Sequence, residues 1–111
     1  MSIFDDLAAR GVVPVIALDD AEAALPLADA LLEGGLPVAE ITFRTPAARE
    51  TLATIAHKRP EILVGAGTVL TEEQVDMALE AGAKFALSPG LDRAVLDHAA
   101  TQGLPFAPGI M

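Results

Sequence analysis

A carboxylate and a guanidinium stand four residues apart in Glu40-Ile41-Thr42-Phe43-Arg44, at the end of a short apolar run over residues 38–43. Side chains alternate along a strand, so Glu40, Thr42 and Arg44 share one face, while Ala39, Ile41 and Phe43 share the other. The flanking pattern predicts a parallel sheet with both faces covered. A carboxylate there is costly unless something holds it. Partial burial would raise its pKa toward the range of a general acid/base, and a nearby cation would lower it. The plainer alternative is a structural Glu40 paired with Arg44. Arg44 in turn either clamps a substrate carboxylate through its planar fork or neutralises Glu40.

In parallel βα folds ligands bind at the carboxyl ends of the strands, so the other strand ends are the next places to look. Gly65-Ala66-Gly67-Thr68 begins like a dinucleotide fingerprint, but Leu70 stands where the third glycine belongs. Its glycines better suit close approach of backbone to a small ligand, with the Thr68 hydroxyl as donor. Ser88-Pro89-Gly90 lacks the hydrolase elbow and reads as a turn. Of the two lysines, Lys58 ends a helix and Lys84 starts a strand, opposite the expected site. Neither suits a Schiff base. His57 and His98 lie on different expected helices, without metal-binding spacing, and read as surface residues.

The elements that must hold these groups alternate. Apolar runs at 12–18, 38–43, 62–68 and 85–88, and a fifth from Leu104, are separated by helical periodicity at 21–32, 47–57, 72–79 and 93–100. A short helix over 3–10 precedes them. Strands recur every 20–26 residues or so, the spacing of a βα repeat with short loops. Thr45-Pro46 reads as an N-cap followed by proline at the first helical position. Thr71 and Gln74 fit a capping box. Gly34-Gly35, Gly82 and Gly103 follow helices. Pro14 sits awkwardly inside the first strand, and Pro26 either kinks the first helix or marks its late start. The expected organisation is one α/β domain over residues 1–111, with no linker. Four βα units and a fifth strand suit an open flavodoxin-like sheet. They also suit part of a (β/α)₈ barrel, which is typically about twice this long.

Composition excludes several classes. The formal charge of −9 argues against a nucleic-acid surface. There are no cysteines, hence no disulfide, thiol nucleophile or Cys-type zinc site. No signal-peptide pattern opens the chain, and no apolar run approaches the roughly 20 residues of a membrane helix. A cytoplasmic protein is expected, without nucleic-acid or membrane partners.

Taken together, Val12-Val13-Pro14-Val15-Ile16, Ala39 through Thr45, Val64 through Leu70, Ala81 through Gly90 and Pro108-Gly109-Ile110 resemble the 2-keto-3-deoxy-6-phosphogluconate aldolases. These overlap with the 4-hydroxy-2-oxoglutarate aldolases. The resemblance runs in order over essentially the whole chain. It implies a class I aldolase on a parallel (β/α) barrel of the TIM type, usually trimeric, releasing pyruvate and an aldehyde. A Schiff base to lysine replaces any metal, and no cofactor is implied. By motif position Glu40 corresponds to the general acid/base, while Arg44 and Thr68 correspond to contacts of the pyruvate moiety. The resemblance puts the Schiff-base lysine on a sixth strand and the phosphate site on the seventh and eighth. These 111 residues end after the fifth. The expectation is a truncated barrel, without that lysine and inactive alone, completed by a C-terminal half or by self-association. A non-catalytic binder of a small oxo-acid is the remaining alternative.

Overall fold

Five parallel strands lie side by side in the order in which the chain makes them. In the computed structural model, which describes residues 2–109, they are β1 (Val15–Ile16), β2 (Val38–Thr42), β3 (Leu63–Gly67), β4 (Ala86–Ser88) and β5 (Phe106–Pro108). The helices are α1 (Ile3–Arg10), α2 (Ala24–Glu33), α3 (Ala48–Lys58), α4 (Glu72–Ala81) and α5 (Arg93–Gln102). The sequential order has no point where the winding reverses. That separates it from the flavodoxin-like alternative, whose strand order is 2-1-3-4-5. The architecture is a partial (β/α) barrel of the TIM type. The last expected residues, Ile110 and Met111, lie outside the described residues.

Alternation along the strands sorts two layers. Ala39 and Ile41 of β2, Val64 and Ala66 of β3 and Ala86 of β4 join one buried cluster with Ala28 of α2, Leu52 and Ile55 of α3, Val75 and Ala78 of α4, and Ala99 of α5. The helices α2 to α5 therefore cover one face of the sheet. The other face carries Val38, Glu40, Thr42, Gly65, Gly67 and Phe85. Val38 and Phe85 are fully buried there, outside the helix-facing cluster. Helix α1 buries no residue. Among the described residues no helix is long and apolar enough to cross a membrane.

Proline and cap chemistry shifts several boundaries. The first strand is shorter than expected, beginning just after Pro14, which cannot donate to a ladder. Its carbonyl still accepts from the Glu40 amide at 2.9 Å. Pro26 sits in the first turn of α2, where no amide donor is needed, and a 3₁₀ turn over Ala21–Ala23 precedes it. This is the late start. Thr45 does not cap α3. Ala47 takes that position without a side-chain bond, and the Thr45 hydroxyl donates to the Leu18 carbonyl at 2.6 Å instead. The capping box of α4 is offset. Thr71 accepts from the Gln74 amide at 3.1 Å, but Gln74 accepts from the amide of Leu70, at 2.7 Å. Gly35, Gly82 and Gly103 adopt positive φ after their helices, whereas Gly34 does not.

Thr51 of α3 is fully buried, and among the described residues its hydroxyl has no hydrogen-bond partner. A buried unpaired hydroxyl costs about 1–3 kcal/mol. Valine has nearly the same shape without that hydroxyl. Thr51→Val is therefore expected to stabilise the fold by about 1 kcal/mol, read as an increase in the urea midpoint at unchanged m-value.

Candidate active site

Arg44 and Thr68 lie just beyond the ends of β2 and β3, and Glu40 lies two residues before the end of β2. Glu40 lies in the middle of β2, on the face without helices, and is 8% exposed. Its register neighbours are Val15 of β1 and Gly65 of β3. One row toward the carboxyl ends, Thr42 stands opposite Gly67. The Thr42 hydroxyl donates to the Ile16 carbonyl at 3.1 Å and thereby ties β2 to β1. Burial pushes the Glu40 carboxyl above its ordinary pKa, and the Arg44 charge pulls against that rise.

Arg44 and Thr68 are joined by a hydrogen bond, while among the described residues the Glu40 side chain bonds neither of them. Arg44 lies in the turn after β2, exposed, and its Nε donates to the Thr68 hydroxyl at 3.3 Å. Glu40 and Arg44 form no ion pair among the described residues. The reading of Arg44 as a direct partner neutralising Glu40 therefore lacks its contact. Thr68 leaves β3 with φ of 56°. A β-branched side chain in the left-handed region is a strained conformation, costing about 1–2 kcal/mol. In this conformation its hydroxyl accepts the Arg44 bond, and such outliers concentrate at working sites.

The glycines of β3 differ from their expected use. A Cβ on Gly67 would overlap the Glu40 carboxylate, lying 2.7 Å from Cδ and 2.9 Å from Cγ. A Cβ on Gly65 would fall within the Phe85 ring, 2.5 Å from Cδ2 and Cζ. The space is thus filled by the chain's own side chains. Phe85 was not singled out in the sequence, although it opens the fourth apolar run at the matching row.

Around this centre, the Ser88 hydroxyl donates to the Gly90 carbonyl at 2.7 Å, closing its turn locally. A hollow of about 300 Å³ opens alongside, lined by Leu70, Ser88, Pro89, Leu91, Asp92 and Val95 among others. Glu40, Arg44 and Thr68 do not line it. Lys58 and Lys84 are exposed, at the end of α3 and just before β4, toward the amino ends of the strands. His57 is exposed, as expected. His98 is half-buried and joins α5 to Asp76 of α4 at 2.8 Å, a contact the spacing did not reveal. Among the described residues no group of three His, Asp or Glu side chains is arranged to hold a metal ion.

Comparison with known proteins gives a consistent answer. The model of the KDPG and KHG aldolase family matches residues 3–111. The chain is 46% identical over 110 residues to a 2-dehydro-3-deoxy-phosphogluconate aldolase of Treponema pallidum, covering 99% of this chain and 52% of that protein. It is 50% identical over 100 residues to the KHG/KDPG aldolase of Escherichia coli, covering 89% and 46%. A crystal structure of KDPG aldolase from Legionella pneumophila, with pyruvate captured at low pH as a covalent carbinolamine intermediate, superposes with a TM-score of 0.83 at 44% identity. That match covers 86% of this chain and 47% of the Legionella chain. The chain spans about half the length of the relatives it matches.

The raised Glu40 pKa fixes the sign of a pH effect. The folded state holds this proton more tightly than the unfolded state does. The associated stability is fully present below the unfolded carboxyl value of about 4.3. It is lost as pH rises through the folded value. Glu40→Gln, which does not titrate, is therefore expected to melt above the parent at pH 7. Its advantage should shrink to nothing below about pH 4, as measured by thermal denaturation across that range.

Proposed function

The chain belongs to the KDPG and KHG aldolase family, and on that footing we propose that it forms the acid/base half of a class I aldolase. The substrate class is a 2-oxo-4-hydroxy acid, either 2-keto-3-deoxy-6-phosphogluconate or 4-hydroxy-2-oxoglutarate. The products are pyruvate and an aldehyde. One observation carries this reading: a single buried carboxyl with a raised pKa lies beneath an Arg44–Thr68 pair at the carboxyl end of a parallel sheet. A carboxyl tuned upward is a better proton donor and acceptor for such chemistry than an ordinary one.

In the proposed step the substrate is held as an imine to a lysine outside these 111 residues. Glu40 takes the proton of the C4 hydroxyl, the C3–C4 bond breaks, and its electron pair passes into the enamine. The aldehyde leaves. Protonation of the enamine at C3, with the proton coming from Glu40, returns an imine that water hydrolyses to pyruvate. Arg44 presents its fork to the substrate carboxylate, and the Thr68 hydroxyl supplies a further hydrogen bond. Lys58 and Lys84 do not form the imine, since both lie toward the wrong end of the strands.

The lysine-bearing half is proposed to complete the barrel across the free edges of β1 and β5. The apolar groove on the flank of α5, lined by Leu96, Ala100, Leu104 and Phe106 among others, favours this reading. Helices α2, α3 and α4 each pack on the next helix, whereas α5 has no successor among the described residues. A cytoplasmic, homo-oligomeric enzyme is proposed for the completed protein.

Borohydride reduction with pyruvate, read by intact mass, tests the assignment. The folded 111-residue chain is expected to gain no adduct. An adduct on Lys58 or Lys84 would overturn the placement of the imine. In a barrel completed by a C-terminal half, Glu40→Gln is expected to slow cleavage by about 100-fold or more. A rate within about twofold of the parent would remove Glu40 from the acid/base role.

A further inference from the structure

We infer that Gly67 is a positioning residue for Glu40, and that Gly65 with Phe85 directs the Glu40 carboxyl onto it. This rests on the reading of Glu40 as the acid/base and extends it to the residues that aim that group. The argument begins with register. Glu40 lies directly opposite Gly65, and Gly67 lies one row nearer the carboxyl ends on the same face. A side chain on β2 would ordinarily lie across its register neighbour. Here the Phe85 ring already occupies the space that a Gly65 side chain would fill. The ring is fully buried and cannot give way cheaply. The Glu40 chain therefore runs diagonally, and its carboxyl rests over Gly67.

Backbone conformation does not require glycine at either position. Neither Gly65 nor Gly67 has positive φ. Alanine could adopt both backbones, so the obstacle to a side chain at Gly67 is the Glu40 carboxyl itself. The neighbouring strands offer the carboxyl no titrating group in register: β1 presents Val15, β3 presents its glycines, and β4 is preceded by Phe85. Arg44 is the charged neighbour acting on it. Glycine at 67 thus does two things at once. It makes room for the carboxyl one row nearer the carboxyl ends of the strands, and it seats the group over backbone that carries no side chain. Displacing the carboxyl from this seat would return it toward solvent and toward its ordinary titration range.

A double-mutant cycle on the 111-residue chain tests the contact. Gly67→Ala in the parent is expected to raise the unfolding constant roughly 5- to 150-fold, the range for overpacking. In the Glu40→Ala background, where the clashing atoms are gone, the same change is expected to cost no more than about twofold. An equal cost in both backgrounds would overturn the inference. A carbon-13 NMR titration of the Glu40 carboxyl supplies a readout that a general packing defect would not move. The midpoint in Gly67→Ala should fall to the ordinary carboxylate range, and an unchanged midpoint in the folded variant would also overturn the inference. If Gly67→Ala alone does not fold, rescue by Glu40→Ala decides the matter, and failure of rescue counts against the seat. A cycle that shows strong coupling, beside an unaffected cleavage rate for Glu40→Gln in a completed barrel, would leave the seat standing and remove only the aldolase reading.

Discussion

The apolar layer between the helices and one face of the sheet is the constraint on which everything else rests. It is built largely from short side chains, including Ala24, Ala28, Ala39, Ala66, Ala78, Ala86 and Ala99. Small residues let helices approach the sheet closely, while Leu52, Ile55 and Val75 fill the remaining volume. Hydrophobic burial supplies the driving force for this layer. Because every strand commits alternate residues to it, the intervening residues are released to the opposite face. That is how Glu40, Thr42, Gly65 and Gly67 come to share a surface without any of them being selected for the core.

On that opposite face, two costs are accepted near one another. A carboxyl is buried without an ion-pair partner, and Thr68 is held at positive φ. Each is unfavourable taken alone. They fall on neighbouring strands, Glu40 within β2 and Thr68 just after β3, and the strained residue holds the hydroxyl that receives Arg44. The rigid β2–β3 pairing beneath them, in register over five residue pairs, over-determines the backbone enough to sustain both. The resulting arrangement separates the two charges. The carboxyl is withdrawn from water, and the guanidinium remains exposed.

Much of the fold was legible because the two periodicities are clean. The runs containing Val38 to Thr42 and Leu63 to Gly67 alternate as strands, and the helices between them keep their apolar spacing. Boundaries were less legible where one residue type serves two purposes. Thr45 precedes a proline, as a cap would, yet its hydroxyl bonds the distant Leu18 carbonyl. Gln74 reaches Leu70 instead of the amide of Thr71. In the first case an acceptor 27 residues away outcompetes the local one, and in the second the side chain takes the amide one residue earlier in the same turn.

The site divides along the same line. Residue type and alternation were enough to single out Glu40, Arg44 and Thr68, because a charged group in an apolar strand and a hydroxyl after a glycine pair are visible in one dimension. The strand end that collects them follows from parallel winding, itself implied by the βα spacing. Tertiary structure alone decided that Arg44 meets Thr68 and stands off from Glu40, and that Phe85 fills Gly65 while Glu40 fills Gly67. Those contacts join residues 20 to 27 positions apart, and they depend on strand register. A shift of one residue would send every one of these side chains to the other face. Sequence determined which groups were available and which face they occupied; the packing of neighbouring strands determined which of them touch.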